Sequence, residues 1–145
     1  MSLIELAETA EAIGATTSTL EKTRLLAAYL SRLEGEDLRR AAVYFTGLPY
    51  GLGERRRLNL GWATIARVVE RISGRNSSQL SDAFLRHSDL GDWAQEALEG
   101  RSEPRPTSLL DVAAALDEAR AARSAAGKQE ALERLLRRLT PLEAK

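Results

Sequence analysis

There is no cysteine in the 145 residues, and there is one histidine. Without thiols the chain has neither a disulfide framework nor a thiolate metal site, as suits a reducing compartment. A single histidine excludes His-rich metal centres. No run of about 18 apolar residues is present, so no membrane-spanning helix is expected, and no charged-then-apolar leader opens the chain. The expectation is a soluble, cytoplasmic protein of about one domain, long enough to bury a real core. No glycine-rich stretch ends in GK followed by Ser or Thr, so there is no P-loop. His87, Ser88 and Asp89 are contiguous, and sequence neighbours at a helix end do not form a catalytic triad. No constellation of nucleophile, base and cofactor ligands is left.

Net charge is also missing: 21 Lys and Arg balance 21 Asp and Glu. The distribution is uneven, however. Residues 36–75 carry eight basic and four acidic side chains, and residues 76–104 carry two and six. A net +4 block is thus followed by a net −4 block, which permits one basic face if the fold keeps the blocks apart. Within the basic block runs GLPYGLGERRRLNLGWATIARVVERISGR, residues 47–75. Gly47, Gly51 and Gly53 allow sharp turns or close backbone approach, Arg55, Arg56 and Arg57 follow, and an amphipathic helix comes next. Free N–H groups at that helix start and the cations before it make a place for phosphate. An ordinary solvated loop is the alternative.

Apolar residues recur with helical period. Stripes at Leu3, Leu6, Ala7, Ala10, Ile13 and at Leu26, Leu30, Leu33 are preceded by the capping pairs Ser2/Glu5 and Ser18/Glu21. Asp37 is expected to cap a third helix, with Leu38, Ala41, Ala42 and Phe45 on its stripe. The fourth stripe, Trp62, Ile65, Ala66, Val69 and Ile72, is ended by Gly74. Shorter stripes at Leu80, Ala83, Phe84 and at Leu90, Trp93, Ala94, Ala97, Leu98 follow, and both tryptophans read as core rather than base-stacking platforms. RSEPRPTS, 101–108, reads as an internal linker because Pro104 and Pro106 interrupt helix. Beyond it lie Leu109, Val112, Ala113, Leu116 and Leu132, Leu135, Leu136, Leu139, with a turn expected at Gly127. No segment alternates in the manner of a strand. The fold class is all-α, a compact multi-helix domain of about eight helices without a sheet. Thr140, Pro141 and Glu143 then announce another helix just before the chain stops at Lys145. One turn alone is too short to be stable, so the expectation is a piece cut from a larger protein.

In order along the chain come TTSTLEKTRLLAAYL (16–30), AAVYFTGLPYGLGERRRLNLGWATIARVV (41–69), HSDLGDWAQEAL (87–98), PTSLLDVAAALDEA and KQEALERLLRRLTPLEAK. This series resembles the N-terminal DNA-binding domain of ATP-dependent DNA ligases over nearly the whole chain. The resemblance implies a partial ligase-type helical domain spanning 1–145, truncated at its C-terminal end. It would grip nicked duplex DNA across the minor groove through phosphates and main-chain amides. Carried over by position, Gly51, Gly53, Arg55, Arg56, Arg57, Asn59 and Gly61 match one groove-facing turn. Thr17, Ser18 and Lys22 match the phosphate-facing start of the second helix. Thr19 departs from the pattern, since many relatives carry a basic residue there. The adenylation motif KxDG is absent, for none of Lys22, Lys128 and Lys145 begins it. No cofactor is therefore expected in this chain. ATP and Mg²⁺ are implied only for a catalytic domain, which with an OB-type domain would be its partner in the parent protein. A helical module that binds protein, through the acidic block around Asp82, Asp89, Asp92, Glu96 and Glu99, is the competing reading.

Overall fold

A computed structural model describes all residues, 1–145. It is all-α: α1 (Leu3–Ala15), α2 (Thr19–Leu30), α3 (Gly35–Tyr44), α4 (Trp62–Ser73), α5 (Ser77–His87), α6 (Leu90–Leu98), α7 (Leu109–Ala121), α8 (Ala125–Arg138) and the single turn α9 (Pro141–Ala144). Hairpins α5/α6 and α7/α8 pack on α4 through α6 and α8, while hairpin α1/α2 joins them through α9, which closes on both α6 and α1, and through α3, which meets α2 and α7. The only β-type contact is one isolated antiparallel bridge, Ser2 to Ser108.

Most helix starts obey the local rules. Ser18, Asn76, Asp89, Ser108, Ser124 and Thr140 each accept a backbone N–H at the head of their helix, removing one orphan donor per helix. The box at Thr140 and Glu143 is complete in both directions. Four expectations need correction. Ser2 does not cap; its hydroxyl donates to the Glu5 carboxylate, while the Leu3 N–H goes to the Thr107 carbonyl at 2.7 Å. Asp37 sits inside α3, which starts earlier, at Gly35, and its carboxylate is drawn 3.0 Å from the Met1 ammonium. Gly127 lies inside α8, and the turn falls before Ser124. Lastly, Trp62 is 49% exposed.

The core runs through Val68, Val69 and Ile72 of α4, Leu80 and Ala83 of α5, Trp93, Ala97 and Leu98 of α6, and Leu135, Leu136 and Leu139 at the end of α8. Tyr29 and Leu33 extend it toward α3. Apolar burial on this scale is the dominant favourable contribution to folding. Residues 101–107 hold no helix, yet they are tied down on both sides. Glu103 and Arg105 donate their N–H groups to the carbonyls of Arg137 and Arg138 at 2.8 and 2.9 Å, satisfying the open end of α8, and the Leu109 N–H reaches the Met1 carbonyl at 3.0 Å.

Ion pairs knit the acidic half to the rest. Glu96 takes two bonds from Arg86, 2.8 and 3.0 Å, and faces His87 at 3.5 Å and Arg75 at 4.0 Å. The Arg86 bonds, aided by the charges around them, hold the Glu96 carboxyl below its ordinary range against the opposing effect of burial. Asp92 is lowered in the same way by Lys145, 2.7 Å away. Burial alone would raise Glu133, but the bonds from Arg137 and Arg71 bring it down. A carboxyl whose folded pKa lies below its unfolded value stabilises the fold fully above the unfolded value, and that stability is lost as pH falls through the folded one. The thermal midpoint should therefore be flat near neutrality and fall progressively below about pH 4.5. Midpoints by circular dichroism that stay constant between about pH 6 and pH 3 would contradict this.

Candidate nucleic-acid interface

Between α3 and α4 the chain has no regular structure for 17 residues, 45–61. Its course is set by local bonds and by three residues of left-handed backbone, Gly47 at φ +76, Gly53 and Asn59. Thr46 and Gly47 fold back onto Val43 and Tyr44. A turn closes from the Glu54 N–H to the Gly51 carbonyl at 3.1 Å, with Gly53 at φ +83, a conformation that L side chains adopt at a cost. Asn59, at φ +53, is one of two non-glycine residues in the left-handed region, where a short amide side chain is best tolerated. Gly61 then begins α4, with Thr64 and Ile65 donating to its carbonyl.

The head of α4 differs from most other helix starts here. Gly61 has no side chain to cap with, and no acidic residue stands in the first turn. The leading amides are therefore open to an anion, which the helix dipole favours at that end. The three arginines are not in that turn; Leu58 to Gly61 separate them from Trp62. They also differ among themselves. Arg56 is held by Glu54 at 3.3 Å and Asp117 of α7 at 3.8 Å, and its guanidinium stacks over the Tyr50 ring at 4.6 Å. The hydroxyl of Tyr50 donates to the Asp117 carboxylate at 3.3 Å. Arg55 and Arg57 are exposed and have no carboxylate within 4.0 Å. The structure thus makes Arg56 an anchor of the loop on α7 and leaves Arg55 and Arg57 pointing to solvent. A cavity of about 220 Å³ beneath the anchor is lined by Arg40, Tyr44, Tyr50, Arg56, Leu116 and Asp117 among others.

Thr17, Ser18 and Lys22 form a second group at the head of α2. Ser18 spends its hydroxyl on the Glu21 N–H at 3.2 Å. Glu21 stands in that first turn, its carboxylate neutralised by Arg24 at 2.5 and 2.9 Å. Thr17 and Lys22 are exposed, and Lys22 has no ion pair. No hydrogen bond or ion pair joins this group to loop 45–61.

Sequence reasoning missed two features. One is the clamp of Tyr50, Arg56 and Asp117, which joins residues more than sixty positions apart. The other is an apolar groove of about 670 Å³ between α4, α5 and α6, lined by Trp62, Leu80, Phe84, Leu85, Leu90 and Trp93 among others. Trp62 lies 5.0 Å from Trp93 and 6.0 Å from Phe84 between ring centres. The amphipathic stripe of α4 was legible; that its first member faces a groove instead of the core was not.

Lys145 is engaged with Asp92 and Glu11, Lys128 donates to the Ala119 carbonyl, and Lys22 lies on the open face of α2. No three acidic, His or Cys side chains converge where a metal ion would be held. No helix is long and apolar enough to cross a membrane.

Comparison with known proteins places these features in context. Residues 2–145 match the family described as the DNA ligase N terminus. A probable DNA ligase of Koribacter versatilis is 32% identical over 97% of this chain, and one of Opitutus terrae is 31% identical over 94%. A DNA ligase of Methanocella arvoryzae is 27% identical over 97%. The chain spans only 17% to 26% of the length of these relatives.

Proposed function

Because this chain belongs to the DNA ligase N-terminal family, we propose that it is the duplex-gripping part of an ATP-dependent DNA ligase. It holds nicked DNA without regard to sequence while other domains seal the break, in replication, repair or recombination. The observation that carries the proposal is the head of α4, uncapped and free of acid, beside the unpaired Arg55 and Arg57. Nick sealing must work at any sequence, so binding has to read phosphates and groove shape rather than base edges. Open amides and solvent-facing guanidinium groups supply that kind of contact. Gly51, Gly53, Asn59 and Gly61 bring the backbone close to the minor groove, and Thr17, Ser18 and Lys22 would meet phosphate at the head of α2. Of the two ends, the head of α4 is the better anion site, since Glu21 occupies the first turn of α2. The adenylation lysine, ATP and Mg²⁺ belong to the catalytic domain of the ligase, its partner in the parent chain together with an OB-type domain.

A module that binds protein is favoured by one observation, the apolar groove with Leu85 76% and Leu90 51% exposed. Binding of duplex DNA at low salt separates the readings. Under the DNA reading, a nicked duplex should be bound equally well in two unrelated sequences of the same length, with each competing freely for the other in fluorescence anisotropy. A protein that ignores both duplexes at low salt leaves the groove as the better guide to function.

A further inference from the structure

Tyr50 brings the arginine loop onto the last turns of α7. Its hydroxyl donates to the Leu116 carbonyl at 3.4 Å and to Asp117 at 3.3 Å, and Arg56 reaches the same carboxylate. Arg120 stands one turn further along α7 on the same face, three residues from Asp117 and four from Leu116. Loop 54–57 therefore lies against the last turns of α7, which lead into the α7–α8 turn, although about sixty residues separate them in sequence.

The cations on that surface have different fates. Arg56 is committed to Glu54 and Asp117. Arg134 is paired with Glu118. Lys128 donates to the Ala119 carbonyl at 2.9 Å, which both caps α7 and answers its negative dipole end. Arg120 and Arg123, one in the last turn of α7 and one in the turn beyond, are exposed and have no carboxylate within 4.0 Å, and Arg120 stands beside the Tyr50 hydroxyl. With Lys128 already placed on the end of α7, the dipole gives little reason for two further guanidinium groups there. On the other side of the Tyr50 anchor the loop carries two more exposed arginines without a carboxylate partner, Arg55 and Arg57.

We propose that Arg120 and Arg123 extend the DNA surface from loop 54–57 onto the α7–α8 turn, each meeting a phosphate of the duplex backbone. Arg55 and Arg57 hold one stretch of the sugar–phosphate chain, and the α7–α8 turn holds its continuation. The anchor of Tyr50, Arg56 and Asp117 fixes the spacing between them. This inference rests on the DNA-binding reading of the preceding subsection and adds a site to it.

The test is the salt dependence of binding of the whole 145-residue chain to a short nicked duplex, in wild type, R120Q/R123Q, R120K/R123K and R55Q/R57Q. Each phosphate contact contributes about 0.9 to the slope of log K against log salt. R120Q/R123Q should reduce the magnitude of the slope by about 1.8, while R120K/R123K should keep it near wild type because the charge remains. R120Q/R123Q should also keep the wild-type thermal midpoint, which separates lost contacts from lost fold. A wild-type slope in R120Q/R123Q, together with a reduced slope in R55Q/R57Q, overturns the extension and leaves the loop reading standing. Absence of salt-dependent binding in the wild type overturns both.

Discussion

Replacing Trp93 by alanine should destabilise the domain by about 3–5 kcal/mol, the range for removing a large aromatic side chain from a packed core. Trp93 is 1% exposed and touches the elements that meet at the centre of the fold. Its indole N–H donates to the Leu80 carbonyl of α5 at 3.0 Å, so the ring fixes α6 against α5 by shape and by a directed bond. Leu80 lies inside α5 and its carbonyl keeps a helical partner, so most of the loss comes from the cavity. Trp93→Phe retains part of the volume and forgoes the bond, and should cost less. Total stability of a single domain is about 5–15 kcal/mol, so the alanine variant is expected to unfold at markedly lower urea. Trp62→Ala, at a half-exposed position, should move the midpoint far less. Equal midpoints for the two alanine variants would mean that the assignment of core and groove is wrong.

This contrast marks where sequence stops being informative. The helical period located α4 and α6, and each tryptophan lies on the apolar stripe of its helix. Period says which face is apolar, but not what covers it; α6 meets α4 and α5 there, whereas the first turn of α4 overhangs a groove. Capping rules succeeded at Ser18 and Thr140 because they depend on a few neighbouring residues. They failed at Asp37, where an earlier start at Gly35 and the ammonium of Met1, 36 residues away, took the carboxylate. A glycine often ends a helix, so the sequence places a turn at Gly127, yet Gly127 lies inside α8. Its actual constraint is space: a Cβ there would stand 3.2 Å from both the Ala122 Cβ and the Ser124 hydroxyl. In the same way the Gly/Arg composition of the loop pointed to phosphate, but which arginine is free depends on Asp117, sixty-one residues beyond Arg56.

That difference among the arginines sets the second large effect. R55Q/R57Q removes two solvent-facing charges and no ion pair, so its thermal midpoint should stay within about one or two degrees of wild type. Its affinity for duplex DNA should nevertheless fall on the order of tenfold at near-physiological salt, through the loss of two phosphate contacts. R56Q should behave differently. It breaks the contacts with Glu54, Asp117 and the Tyr50 ring, loosening the loop with only a small shift of the thermal midpoint, because the pairs are exposed to solvent screening.

The central claim is that the loop before α4 meets the DNA backbone through Arg55 and Arg57. The slope of log K against log salt, measured for wild type and R55Q/R57Q on the same nicked duplex, tests it most directly. The account predicts a steep negative slope in the wild type, reduced in magnitude by about 1.8 in the variant. Identical slopes in a variant that remains folded would contradict it.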